Sequence, residues 1–339
     1  MTIEERRIEY KDSEGTVLEG LLCYPRGANE TCSSKQLPAV TIHHAFAGIT
    51  EFEEEKTRAL AELGYVAFAA DVYGKGVKGN TREECFVLLK SMVAVRRGKL
   101  KDRLLAGIKV VKDLPFVNGE KVASIGYCFG GLCCLDLARY NAPVKGVISY
   151  HGTLSPLESL EHLPEEEKGP IKPSVTVCHG DADFHIPFQQ TVDFMNEFRN
   201  RSADFQFIHY ANAQHAFTEP KYTTSDVPGV LYNEKADKRS WSTTIAFLNE
   251  LFYSNIFSVL CLLGLWLAFT YSGNVGVTGE SGGYIVAGLL FILQTAFYTA
   301  PALMLYPKIK ESDLRYTPNN FYENDNNIPY QGNSTPRVV

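Results

Sequence analysis

A strand-like run, Val122–Gly126, passes directly into a helical window, Phe129–Tyr140, through the segment Gly126-Tyr127-Cys128-Phe129-Gly130-Gly131. A strand-to-helix turn this abrupt tolerates only small residues two before and two after its apex, because side chains there collide with the neighbouring strand and helix. The apex is Cys128. A cysteine so placed sits at a helix N-terminus, where free N–H groups and the helix dipole favour a thiolate and a developing oxyanion. On the motif alone, a buried cysteine in a glycine-rich turn remains an alternative.

The chain around this turn alternates β-rich runs with amphipathic helical windows, which predicts a mostly parallel sheet covered on both faces. Strands are expected at Val17–Tyr24, Ala39–His43, Val66–Ala70, Val122–Gly126, Val144–Tyr150, Ser174–Cys178 and Phe205–Tyr210. Helices are expected at Glu51–Leu63, Arg82–Val95, Lys101–Leu114, Phe129–Tyr140, Phe188–Arg199 and Lys235–Leu251.

Two loops extend the reading of Cys128. His179-Gly180-Asp181-Ala182-Asp183-Phe184-His185-Ile186-Pro187 follows the strand Ser174–Cys178, and Ala213-Gln214-His215-Ala216-Phe217 follows the strand Phe205–Tyr210. The order nucleophile, acid, histidine is that of an α/β-hydrolase triad, with Cys128, Asp183 and His215 as its members. Singly each loop has a plain structural reading: Asp183 could cap the helix that Pro187 begins, and His215 could be a satisfied loop histidine. Three matches in order outweigh those readings. His43 and His44 read as loop residues, since no third ligand stands at metal spacing. Cys133 and Cys134 read as small buried hydrophobes.

These segments resemble the dienelactone hydrolase family over about residues 8–252. The G-Y-C-x-G-G turn, the H-G-x-x-D-x-x-[IV]-P acid loop and the x-x-H-x-F base loop are all present, as is Gly64-Tyr65-Val66-Ala67 running into Asp71-Val72-Tyr73-Gly74-Lys75-Gly76. The resemblance implies an α/β-hydrolase fold and hydrolysis of an ester or lactone with no cofactor and no metal. In that scheme Cys128 attacks, His215 moves protons, Asp183 orients His215, and the backbone N–H groups of Phe46 and Phe129 hold the oxyanion. Two positions depart from the family pattern. A glutamate common in the loop after Ala39–His43 falls on Ala45, and an arginine expected four residues after the histidine is Glu219. Arg82 aligns with a second substrate arginine of the family. A carboxylate at Glu219 repels an anionic substrate, so a neutral or cationic ester, thioester or lactone is expected. The alternative is a silent hydrolase-fold scaffold or accessory subunit of a membrane complex.

Composition changes after residue 252. From Leu251 to Gly279 and from Ser281 to Pro307 there is no charged side chain, and only Glu280 interrupts. Runs over 255–271 and 284–306 predict a two-helix membrane hairpin within 253–307, followed by a disordered polar tail, 308–339. Lys308, Lys310 and Arg315 after the second run predict that the hydrolase domain, residues 1–252, faces the cytoplasm from a membrane. The hairpin leaves room for a membrane-protein partner. A formal net charge of -6 with no basic stripe excludes an electrostatic footprint for nucleic acid. Eight scattered cysteines with no C-x-x-C pair predict free thiols in a reducing compartment.

Overall fold

The computed structural model describes residues 2–29, 36–157 and 168–253. The expected hairpin and tail lie outside them. Among the described residues no helix is long and apolar enough to cross a membrane.

Eight strands form one sheet in the order β1-β2-β4-β3-β5-β6-β7-β8. They are β1 (Ile3–Lys11), β2 (Val17–Pro25), β3 (Leu37–His43), β4 (Val66–Ala70), β5 (Val117–Tyr127), β6 (Gly146–Tyr150), β7 (Ser174–Gly180) and β8 (Phe205–Tyr210). β1 and β2 form an antiparallel hairpin that joins β4 antiparallel, and the pairs from β4 through β8 are parallel. Every residue of β4 and β6 is buried, as expected of parallel strands covered on both faces. The covering helices are α1 (Glu51–Glu62), α2 (Arg82–Val93), α3 (Lys101–Lys112), α4 (Phe129–Arg139), α5 (Phe188–Asn200) and α6, helical over 234–253. All seven expected strands and six expected helices form, with ends shifted by a few residues. β5 starts earlier than expected, at Val117, where its pairing with β3 is irregular between Leu37 and Ala39. The hairpin strand β1 was not expected.

The β1–β2 hairpin is tied down by a buried ion pair. Arg103 Nε on α3 donates to Asp12 Oδ2 at 3.0 Å, and its Nη1 donates to the carbonyls of Val72 and Tyr73 at 2.8 and 2.7 Å. Burial works against the Asp12 carboxylate, but hydrogen bonds from Thr16 and the Arg103 guanidinium outweigh it and lower its pKa. One arginine thereby joins the sheet edge to the turn leaving β4.

α4 is buried along its whole length and packs against β5 and β6. Its two charged residues are matched inside the protein. Asp136 accepts from Arg96 Nη2 at 2.6 Å and Arg139 Nη1 at 3.1 Å, and Arg139 Nη2 meets Glu197 Oε2 on α5 at 2.8 Å. Buried charges persist only when paired in this way. The register aligns the carboxyl ends of the central strands: His43 lies opposite Gly126, and Gly126 opposite Ser149. Chemistry in open α/β sheets collects at this edge.

The turn from β5 into α4 leaves no room for a side chain at its glycines. A Cβ on Gly126 would sit 2.0 Å from the Gly130 carbonyl oxygen, and one on Gly130 would sit 2.0 Å from that of His43. Both clashes are with backbone, which cannot swing aside. Gly130→Ala should therefore cost about 4 kcal/mol or more, or abolish folding. Gly119→Ala, whose added Cβ meets Lys112 Cε at 3.6 Å and the Lys112 carbonyl oxygen at 3.9 Å, both ordinary contacts, should stay within about 0.5 kcal/mol of the parent. Urea unfolding followed by tryptophan fluorescence compares the two.

Candidate active site

Cys128 occupies the apex of the turn with φ 54° and ψ -111°. A positive φ at a residue bearing a Cβ costs on the order of 1–3 kcal/mol, and the surroundings enforce it. The Cys128 N–H donates to the Tyr150 carbonyl at 2.9 Å. The preceding side chain, Tyr127, is fully buried between Phe52 (centroids 4.8 Å apart, edge-on) and Tyr150 (4.6 Å, stacked). Locked on both sides, the chain has to turn its cysteine out of the sheet edge.

His215 stands on the loop after β8. Its backbone N–H donates to Gly229 O at 2.9 Å, and its own carbonyl accepts from Leu231 N–H at 3.1 Å. The loop is thereby stitched to the segment entering α6. The imidazole bridges the two other members of the expected triad: Nε2 lies 3.1 Å from Cys128 Sγ, and Nδ1 lies 2.8 Å from Asp183 Oδ2. Asp183 follows β7 and is buried. Its second oxygen, Oδ1, accepts from the His185 N–H at 3.1 Å. It does not cap α5, where Pro187 takes the N-cap position. Burial disfavours a charge on His215, yet the Cys128 thiolate and the Asp183 carboxylate together outweigh it, and its pKa is raised well above the imidazole range.

A second histidine supports the first. His151, just past β6, is fully buried, and its ring meets that of His215 edge to face at 5.2 Å. Its Nε2 and the Thr218 hydroxyl are hydrogen-bonded at 2.8 Å. Burial, reinforced by the charge of His215, pushes its pKa well below the ordinary value. His151 is thus a neutral wall against which an imidazolium can stand. Its position in the sequence carried no signal beyond a His-Gly pair after a strand.

The two residues expected to hold an oxyanion also lie close by. Phe129 is the first residue of α4, so its N–H has no partner within the helix. Phe46 belongs to the loop after β3, which abuts the turn: a Cβ on Gly130 would meet the carbonyls of His43 and His44. Ala45, at the position of the family's glutamate, is buried. A carboxylate does reach it from elsewhere, because Glu53 on α1 accepts from the Ala45 N–H at 3.0 Å and from the Thr50 N–H at 2.8 Å. Sequence spacing hid this contact, since Glu53 reads as a first-turn acid of its helix.

The reading of Glu219 as an open negative wall needs correction. Its side chain is buried and its Oε2 meets Lys221 Nζ at 2.8 Å. Burial raises its pKa, with Glu53 adding to the shift and Lys221 opposing it. Arg82, the second substrate candidate, is exposed at the start of α2, with its guanidinium 5.4 Å from the centre of the Phe86 ring. Phe86 in turn meets Phe46 edge to face at 5.6 Å, so Arg82 stands one ring away from the oxyanion loop. Cys133 and Cys134 are fully buried, as expected of small hydrophobes on α4.

Comparison with known proteins identifies the family. The dienelactone hydrolase family model matches residues 26–252. An uncharacterised protein of Caenorhabditis elegans is 44% identical over 165 residues, covering 48% of this chain and 99% of its own. A Salmonella typhimurium protein named for carboxymethylenebutenolidase activity is 28% identical, over 66% of this chain and 81% of its own. Among solved structures, a dienelactone hydrolase-like promiscuous phosphotriesterase from metagenomic libraries superposes with a TM-score of 0.67 at 31% identity, over 74% of this chain and 99% of its own. This chain belongs to the dienelactone hydrolase family.

Proposed function

We propose that this protein hydrolyses a neutral carboxylic ester, thioester or lactone through a Cys128–His215–Asp183 triad and a covalent acyl-enzyme. Membership of the dienelactone hydrolase family supports ester or lactone hydrolysis. The observation that carries the triad is His215, within hydrogen-bond reach of Cys128 Sγ on one side and Asp183 on the other.

The sequence of steps follows from that geometry. The Cys128 thiolate attacks the acyl carbon, and the carbonyl electron pair moves onto oxygen, where the Phe46 and Phe129 N–H groups can receive it. Collapse of this intermediate expels the alkoxide, which takes the proton from His215 Nε2 and leaves a thioester on Sγ. His215, now neutral, accepts a proton from water as the water attacks the thioester. The second intermediate expels the thiolate, and the acid product departs. Asp183 holds the Nδ1–H tautomer throughout and stabilises the imidazolium.

The charge near the site supports a neutral acyl group. Glu53 and Glu219 bring two carboxylates against the cations of Lys221 and Arg82, which leaves no positive charge in surplus for an anionic substrate. The uncharged stretches after residue 252 support tethering of the enzyme at a membrane, and sedimentation of the full chain with membranes in carbonate-washed fractions tests that reading.

Three measurements test the chemistry. Iodoacetamide should label Cys128 at least tenfold faster than Cys23, Cys85, Cys133, Cys134 and Cys178, whose thiols are buried and whose pKa values are raised, to about 12 for Cys23 and Cys178. Labelling and Cys128→Ala should each abolish p-nitrophenyl acetate turnover; equal labelling with retained activity would refute the assignment. For pH, a histidine raised by its anionic neighbours keeps its proton through neutrality and loses it only as pH rises through the elevated value. The alkaline limb of kcat/KM should therefore lie well above the imidazole range. Asp183→Asn removes one raising influence and should move that limb to lower pH, with kcat down by about 10²- to 10⁴-fold. Finally, p-nitrophenyl butyrate should exceed the anionic mono-p-nitrophenyl succinate in kcat/KM by about tenfold or more.

A further inference from the structure

We infer that His44 is a positioning residue for the oxyanion hole, fixing the direction of the Phe46 N–H through the carbonyl of Ala45. The inference rests on the hydrolytic reading of Cys128. It adds a part that neither the triad nor the family pattern assigns.

His44 follows β3 and is buried. Both of its ring nitrogens are engaged. Nε2 lies 3.4 Å from the backbone N of Val72, and Nδ1 lies 2.6 Å from the carbonyl oxygen of Ala45. A backbone N–H can only donate, so Nε2 is the acceptor there. The ring proton therefore sits on Nδ1, where it donates to Ala45 O. The two bonds select one tautomer between them.

The consequence reaches Phe46 through the peptide plane. There is no cis peptide bond among the described residues, and in a trans peptide the C=O of one residue and the N–H of the next point in opposite directions. Holding the Ala45 carbonyl toward His44 therefore aims the Phe46 N–H the other way. The neighbouring groups are held as well. Ala45 N–H donates to Glu53 Oε1, Gly48 N–H adds a longer bond of 3.3 Å to Ala45 O, and the Tyr73 hydroxyl donates to Phe46 O at 3.0 Å. Among the described residues the Phe46 N–H itself has no acceptor. A loop that occupies the groups on either side of Phe46 and leaves its amide open has the form of a preset oxyanion donor.

Ring packing keeps His44 in this pose. Its imidazole lies 4.7 Å from Tyr73 and 6.1 Å from Phe129, and Tyr73 stacks on Phe129 with an interplanar angle of 8°. One aromatic cluster thus joins the residue that aims the Phe46 amide to the residue that supplies the second amide. A misaimed Phe46 N–H weakens only the transition state that carries the oxyanion, so the loss should appear in kcat.

The test compares the wild-type chain with His44→Leu, which loses both bonds, and His44→Asn, whose amide nitrogen can replace the Nδ1 donor. Two rates are read: p-nitrophenyl acetate turnover and alkylation of Cys128 by iodoacetamide. Alkylation at a saturated carbon needs the thiolate but builds no oxyanion. His44→Leu should lower kcat by about 30- to 100-fold, with KM within about threefold and alkylation within about twofold of wild type. His44→Asn should recover most of the kcat. Unchanged kcat in His44→Leu overturns the inference, as does alkylation falling in step with kcat, or an Asn variant as slow as Leu. A wild-type chain with no ester turnover overturns the hydrolase reading and this inference with it, whereas an active wild type matched by His44→Leu overturns this inference alone.

Discussion

The geometry of the site depends on a backbone that Cys128 would not choose. Its φ of 54° is tolerable only because the chain on either side is immobilised. Gly126 and Gly130 let the strand and helix approach within a distance no Cβ permits, and Tyr127 is held between Phe52 and Tyr150. The Cys128 N–H is taken by Tyr150 O. Core packing therefore does chemical work here: the strain stays because relaxing it would open the interior between β5, β6 and α4. In return the thiol stands at a helix N-terminus with the Phe129 amide free beside it.

The imidazole of His215 is then placed by elements far apart in sequence. Asp183 comes from the end of β7, His151 from the end of β6, and the Gly229 carbonyl from the approach to α6. Their effects on charge differ in sign. Burial disfavours a cation, whereas Cys128 and Asp183 favour it, and they prevail. In the reaction proposed above, a histidine that holds its proton can serve as the acid for the leaving group.

Much of this was legible in the sequence, and what was hidden has a common cause. The buried strands announced themselves as β-rich runs, and the triad loops carried residue types in an order that few other arrangements explain. β1 escaped because it is an edge strand with one partner: Ile3, Ile8 and Tyr10 are its only large apolar residues, and the remaining positions are charged. A periodic signal needs a buried face, and an edge hairpin has little of one. Side-chain partnerships were hidden for a different reason. Ala45 reads as a lost glutamate, yet Glu53 reaches its amide from α1. Glu219 reads as an unopposed charge, yet Lys221 two residues on neutralises it. Spacing in a helix or strand implies direction, but spacing in a loop does not. His44 belongs to the same class, since nothing in a His-His pair indicates which ring will face its own backbone.

These hidden contacts change what the two departures from the family pattern mean. With Glu53 anchored by the Ala45 and Thr50 amides, its carboxylate braces the loop after β3, in the place the family's glutamate would occupy. With Glu219 buried and paired, the wall that would grip an anionic group instead holds a closed ion pair, and opening it would strand a carboxylate in the interior. Glu219 is buried while Lys221 is about half exposed, so water reaches the cation but not the carboxylate it pairs with. In the reaction proposed above, selection among substrates would then pass to the shape of the acyl group and to the aromatic approach formed by Phe46 and Phe86.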